Sequence, residues 1–215
     1  MMGKSGCGKS VMLRAIMRLI PLDGGQIIFD GEDTTYYNEQ KMIPIRKKIG
    51  MLFQGGALFD SMNVWQNIAY PLLEHTDIPR AEITERIDEM LRFVGMEGSQ
   101  LKEPSELSGG MKKRIALARA MIMRPKYIFF DEPTTGLDPM TGGMINDLII
   151  RTREEFGVSS IVVTHDVASA VRVGTRYSYM DRGKITHTGD RNTFFSLENE
   201  ELREFLKDAS WQDQF

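Results

Sequence analysis

The sequence predicts an α/β fold, a core of strands alternating with helices and interrupted by an inserted helical subdomain. Three observations predict it. A complete phosphate-binding loop, Gly3-Lys4-Ser5-Gly6-Cys7-Gly8-Lys9-Ser10, opens a helix-like segment and fits G-x-x-x-x-G-K-[ST] at every fixed position. Further along, short apolar runs alternate with amphipathic stretches, the pattern of successive strands and helices. Between about residues 60 and 107 the pattern is helical only. The chain is therefore expected to form one domain, with its α/β core at about 1–59 and 108–215 and the helical subdomain at about 60–107.

The elements follow in order. Residues 11–20 read as a helix with Met12, Ile16 and Leu19 on one face. Asp23-Gly24-Gly25 is a turn, and 26–30 a short strand. Residues 48–53 form an apolar strand ending at Gln54. Residues 63–94 are helical. Ile83, Ile87, Met90, Leu91 and Val94 form a stripe there, and Pro71 is expected to kink or divide the preceding helix. A helix over 108–123 precedes a buried-type strand at 127–130. A helix over 140–155, a strand at 160–163 and a helix over 167–171 come next. Residues 176–180 and 184–188 read as a hairpin around Asp181-Arg182-Gly183, and 192–207 as an acidic helix.

Composition narrows the class. The 215 residues include 41% hydrophobic side chains, enough for a sizeable core. A net charge of −3 gives no basic footprint for nucleic acid. The single cysteine excludes an internal disulfide framework. No apolar run approaches the roughly eighteen residues of a membrane helix, and Met-Met-Gly-Lys is not a secretory signal. A soluble, intracellular chain is the expectation, with any membrane contact made through a partner.

The loop carries its own chemistry. Gly3, Gly6 and Gly8 allow backbone that a Cβ obstructs, so successive N–H groups turn inward toward anionic oxygens. The N-terminus of the following helix, at Val11, favours the same charge. Lys9 supplies a cation for β- and γ-phosphates, and Ser10 a hydroxyl for Mg²⁺. Downstream, Tyr127-Ile128-Phe129-Phe130-Asp131-Glu132 is an apolar run ending in two carboxylates, placed where α/β sheets bind ligands. Asp131 is then expected to hold Mg²⁺, and Glu132 to deprotonate an attacking water.

Four more segments turn these features into a resemblance. Glu106-Leu107-Ser108-Gly109-Gly110-Met111 resembles the signature motif of ABC-type ATPases, a family of the P-loop NTPase fold. Gln54 stands where that family has its Q-loop, Gly136-Leu137-Asp138 resembles the D-loop, and Thr164-His165-Asp166 the switch histidine. All lie in the family's order. The resemblance implies ATP and Mg²⁺ as ligands and a head-to-tail homodimer. In such a dimer Ser108, Gly109 and Gly110 of one subunit cap the γ-phosphate held by the other. It implies that Gln54 and His165 sense the γ-phosphate, with Gln54 near the metal, and that Asp138 links the two sites.

A finer resemblance runs from Met51 through Gln54-Gly55-Gly56-Ala57-Leu58-Phe59 to Met62, then Asn67-Ile68-Ala69-Tyr70-Pro71-Leu72 and Glu74-His75-Thr76. With Met111 in place of the commoner Gln, this resembles the ATPases of phospholipid (Mla/MCE-type) transporters. It implies an integral-membrane permease docking near Gln54 and the helical subdomain. It also implies an MCE-domain partner and a place at the cytoplasmic face of the inner membrane. Another transported substrate, a soluble non-transport ABC ATPase and an inactive fragment remain alternatives. A soluble ABC ATPase typically carries two cassettes or a long coiled coil, whereas this chain has one signature motif and no long heptad run. The family also carries strands and an adenine-stacking aromatic before the loop. Only Met1 and Met2 stand there, too few to make that strand, so an N-terminally truncated form is expected and no residue is assigned to adenine stacking.

Overall fold

Residues 127–130 show why the sheet forms. Ile128 and Phe130 point into one hydrophobic cluster and Phe129 into another, the two-residue alternation of a strand covered on both faces. In the computed structural model, which describes residues 1–196 and 200–208, this strand is β4 (Tyr127–Asp131). It lies between β3 (Ile49–Leu52) and β5 (Ser159–Val163), parallel to both. A small antiparallel pair, β1 (Ile28–Phe29) and β2 (Glu32–Asp33), stands apart. The hairpin β6 (Tyr177–Asp181) and β7 (Lys184–Gly189) turns at Arg182 and Gly183, as expected.

Met1 and Met2 depart from expectation. Met2 is fully buried and bridges Thr164 and Tyr179, parallel to both. Its N–H donates to the Ser178 carbonyl at 2.7 Å, and its own carbonyl accepts from Met180 N–H at 2.8 Å. Too short to count as a strand, this residue nevertheless occupies a strand's position and joins the parallel sheet to the hairpin.

The helices pack around this sheet. α1 (Lys9–Ile16) starts earlier and ends sooner than its apolar pattern suggests. α2 (Glu39–Lys47), capped by Asn38, was not legible in the sequence and contains Pro44. α3 (Val64–His75) runs through Pro71 without dividing. Its N-terminus is fixed by a reciprocal capping box between Asn63 and Gln66, and Ile68, Ala69 and Leu72 are buried around the proline. The break falls at Thr76 instead, where both amide and hydroxyl bond the Leu72 carbonyl. α4 (Arg80–Phe93) buries the predicted stripe of Ile83, Ile87, Met90 and Leu91.

α5 (Gly109–Met121) is capped by Ser108, and α6 (Pro139–Phe156) by Asp138. α7 (Val167–Val173) follows β5 and is capped by Asp166. The expected C-terminal helix is described in two pieces, α8 (Arg191–Phe195) and α9 (Glu200–Asp208); residues 197–199 of that expectation lie outside the described residues.

Candidate functional site

Parallel strands deliver their C-terminal ends to one edge, where side chains can converge on a ligand. Gln54 follows β3, Asp131 ends β4 with Glu132 next after it, and His165 follows β5. The loop after Met2 rises beside them. Gly3 is obligatory by proximity, because a Cβ there lies 2.3 Å from the Met180 carbonyl oxygen. Gly8 caps α1 with φ of 110°, so the helix opens with no side chain over its first N–H groups.

A cleft of about 330 Å³ results, lined by Ser5, Gly6, Gly8, Lys9, Ser10, Val11, Gln54, Glu132, Thr135 and His165. A larger cavity of about 600 Å³, beside Met1, Met12 and residues 157–162, contains none of the motif side chains. The smaller cleft gathers Lys9, Ser10, Gln54, Glu132 and His165 of the expected site.

Within it, Lys9 is 5% exposed. Its ammonium donates to the Gly3 carbonyl at 2.8 Å and the Lys4 carbonyl at 3.1 Å, and lies 3.3 Å from Glu132 Oε1. The other carboxylate oxygen of Glu132 lies 2.9 Å from His165 Nδ1 and accepts from the Thr135 hydroxyl at 3.1 Å. Glu132 thus stands between a cation and an imidazole, nearly buried, on left-handed backbone with φ of 49°. A non-glycine residue there costs about 1–3 kcal/mol and persists only where its surroundings enforce it. Ser10 Oγ donates to Asp131 Oδ1 at 2.5 Å, across 121 residues of sequence. Hydroxyl and carboxylate oxygens side by side suit a hard cation that also takes phosphate oxygens and water.

The remaining motif residues gather elsewhere. Ser108 accepts from Met111 N–H at 3.3 Å as the cap of α5. The Cβ position of Gly109 is 3.5 Å from Leu137, and that of Gly110 is 2.3 Å from the Thr141 methyl carbon. Asp138, four residues before Gly142 in the first turn of α6, accepts from Thr141 N–H at 3.0 Å. Thr141 holds the Asp138 carboxyl below its ordinary pKa. Ser108, Gly109, Gly110 and Asp138 therefore form a second patch, outside the cleft that contains Lys9 and Glu132.

Four contributions escaped the sequence reading. Thr135 braces Glu132, and its nearness to that residue was the available signal. Asn67, fully buried on α3, donates to the carbonyls of Phe59, Met62 and Asn63 and accepts from Phe59 N–H at 2.8 Å. It shapes the segment after Gln54, together with Arg119, which donates to the Gly56 carbonyl at 3.0 Å and stacks on Phe59. Lys113, near the start of α5, is buried and turned inward.

Comparison with known proteins agrees with this geometry. The sequence pattern of the family described as "ABC transporter" matches residues 1–135. A relative in Escherichia coli K12, the intermembrane phospholipid transport system ATP-binding protein MlaF, is 40% identical over 95% of this chain and 76% of its own length. The probable ribonucleotide transport ATP-binding protein mkl of Mycobacterium leprae is 37% identical over 96% of this chain and 59% of its own. Among solved structures, the dimeric post-hydrolysis state of the ATP-binding cassette MJ0796 with ADP and Pi superposes with a TM-score of 0.80. It is 34% identical, covering 88% of this chain and 83% of that one. The cbiO1 subunit from Clostridium perfringens gives 0.82 at 29% identity, over 96% and 81%. The cleft, the order of its motifs and these likenesses agree: the chain belongs to the ABC transporter family, as an ATPase cassette.

Proposed function

We infer that this cassette hydrolyses ATP to drive a transporter that moves phospholipids between bacterial membranes. The observation that carries the substrate is the 40% identity, over 95% of the chain, to a relative named for intermembrane phospholipid transport. A second reading, ribonucleotide transport, has the 37% identity of the mycobacterial relative in its favour, over a smaller share of that protein's length.

The site residues take these roles. The backbone of Gly3, Lys4, Ser5, Gly6, Cys7 and Gly8, with the start of α1 at Lys9, Ser10 and Val11, cradles the phosphates. Lys9 exchanges its contact with Glu132 for a phosphate oxygen. Ser10, Asp131 and Gln54 would hold Mg²⁺, which when bound neutralises phosphate charge during transfer. Glu132 takes a proton from the attacking water as the bond between the γ-phosphorus and the bridging oxygen breaks, leaving ADP and phosphate. His165, already on the Glu132 carboxylate, steadies the base and senses the γ-phosphate. The patch of Ser108, Gly109 and Gly110 completes the site of a second copy, and Asp138 links the two. Its separation from the cleft within one chain supports a head-to-tail dimer.

In this reading the subdomain at about 60–107, built on α3 and α4, meets an integral-membrane permease. The segment held by Asn67 and Arg119 presents Phe59, and Tyr70 and Leu73 are exposed nearby. No helix among the described residues is long and apolar enough to cross a membrane. Attachment at the cytoplasmic face of the inner membrane is then peripheral, through the permease, in a complex with an MCE-domain protein. Co-purification from membranes, followed by ATP-dependent transfer of fluorescent phospholipid between vesicles, tests the proposal. A complex that hydrolyses ATP and transfers ribonucleotides but no lipid would select the second reading.

A further inference from the structure

We propose that Lys113 is a positioning residue that ties the helix carrying Ser108, Gly109 and Gly110 to the backbone presenting Glu132. The proposal rests on the reading of Glu132 as the general base.

Lys113 lies on α5, one turn after Gly110, and is 5% exposed. A buried ammonium needs compensation for the water it loses. Its hydrogen-bond acceptors are all main-chain carbonyls of the loop after β4. Pro133 and Thr135 accept at 2.7 Å each, and Glu132 at 3.4 Å. An ammonium has three N–H donors, and three carbonyls meet it. Burial pulls the Lys113 pKa down, and the nearby Glu132 charge opposes that pull.

What these carbonyls belong to is the significant point. Glu132 sits on left-handed backbone, and its N–H donates to the Val163 carbonyl at 2.9 Å. Lys113 pins the other side of the same residue and the short segment after it, as far as Thr135. Thr135, whose carbonyl Lys113 holds, also supplies the hydroxyl that bonds the Glu132 carboxylate. The ammonium therefore fixes both the backbone carrying the carboxylate and the residue aiming it. The link continues to the other patch, because Gly110 packs on Thr141 in the turn capped by Asp138. A displacement of α5 moves Lys113 with it, and with Lys113 the base. Lys9 meets this linkage at the Glu132 carboxylate, 3.3 Å away, but its hydrogen bonds go to the Gly3 and Lys4 carbonyls, so the bonding of the phosphate loop itself does not run through Lys113.

The test uses the full chain assembled with its permease. Lys113→Met keeps the length and apolar stem and removes every donor, whereas Lys113→Arg restores a cation with N–H groups. The expected result for Lys113→Met is a fall in kcat of about 10–100-fold with KM for ATP changed less than about threefold, as for a group acting on the transition state alone. Lys113→Arg should recover part of that loss. In a background of Glu132→Gln the substitution should cost nothing further, because the group it positions is gone. An unchanged kcat, or an equal fractional loss in both backgrounds, would overturn the proposal. Glu132→Gln alone turning over at the normal rate would overturn the reading of the base instead. Should Lys113→Met fail to fold, Lys113→Gln, which keeps an amide donor, carries the same comparison: reduced kcat at constant KM supports positioning, and full kcat refutes it.

Discussion

The contact between Gly110 and Thr141 can be tested by adding one carbon. In Gly110→Ala the new Cβ lies 2.3 Å from the Thr141 methyl carbon. Apolar carbons rest at about 3.5–4.0 Å, so the overlap exceeds an ångström and something must move. Gly110 is buried at the start of α5, and Thr141 is in the first turn of α6, its N–H held by Asp138. Either Thr141 rotates its branched side chain, at about 0.5–1.5 kcal/mol for an off-rotamer angle, or the two helices separate. Overpacking of this kind costs typically about 1–3 kcal/mol. For a chain of 215 residues each kcal/mol lowers Tm by roughly 2–4 °C, so a fall of about 2–12 °C is expected. Differential scanning calorimetry on Gly110→Ala, Thr141→Ser and the double variant measures it. Removal of the methyl by Thr141→Ser should restore most of the loss, leaving the double variant within about 0.5 kcal/mol of Thr141→Ser alone. A double variant whose deficit equals the sum of the two single ones would show that the methyl is not what Gly110 accommodates.

Other expectations follow from the same geometry. Glu132→Gln should lower steady-state ATP turnover in the assembled complex by about 10²–10⁴-fold while equilibrium ATP binding persists, the usual worth of a general base. Asn67→Ala takes the partner from the Phe59 N–H and the Met62 carbonyl, whereas the Phe59 and Asn63 carbonyls keep the main-chain N–H groups of Met62 and residue 67. Each such group costs about 1–3 kcal/mol if it stays dry, so chemical denaturation should shift and limited proteolysis should find new cuts between residues 53 and 63. Asp30 stands at the hub of Lys126, Tyr127 and Lys48, which hold its carboxyl at about 2 against an ordinary 3.8. A depressed carboxylate pKa contributes stability above the unfolded value, lost as pH falls through the folded one. Asp30→Asn, suited to the left-handed backbone at that position, should therefore melt below the parent protein at pH 6. The gap should close between about pH 4 and pH 2. A gap that stays constant across that range would assign the effect to packing instead of charge.

How much of this was legible depends on where each signal resides. The phosphate loop and the carboxylates after β4 were readable because their chemistry lies in contiguous residues. The α4 stripe was readable because one helix face alone meets the core. α2 was not, because Pro44 and a run of charges mask its two buried residues, Met42 and Ile45. Pro71 misled for the opposite reason: local rules disfavour it, but tertiary burial of its neighbours holds the helix. Lys113 shows a signal present and unread. Residues 110, 113, 117 and 121 share one face of α5, and all four are buried, so the spacing alone placed the lysine inward. Its charged neighbours Lys112 and Arg114, which are not on that face, mask the pattern. The pairing of Glu132 with Lys9 and His165 was beyond any local reading, since it joins the start of α1 to the segments after β4 and β5.

The place of Met2 between Thr164 and Tyr179 also sets a clock for synthesis. A ribosome adding about 5–20 residues per second needs roughly 10–35 s to make the chain from Met2 to Tyr179. For most of that interval Met2 and the phosphate loop after it lack Thr164 and Tyr179 beside them, and the apolar run of β4 awaits β5 until residue 163 is made. Helices α3 and α4, whose partners are close in sequence, can form while the nascent chain is still short. The nucleotide site therefore waits for His165, far along the chain, and a chaperone that shelters apolar β-segments would act upon this chain before ATP can.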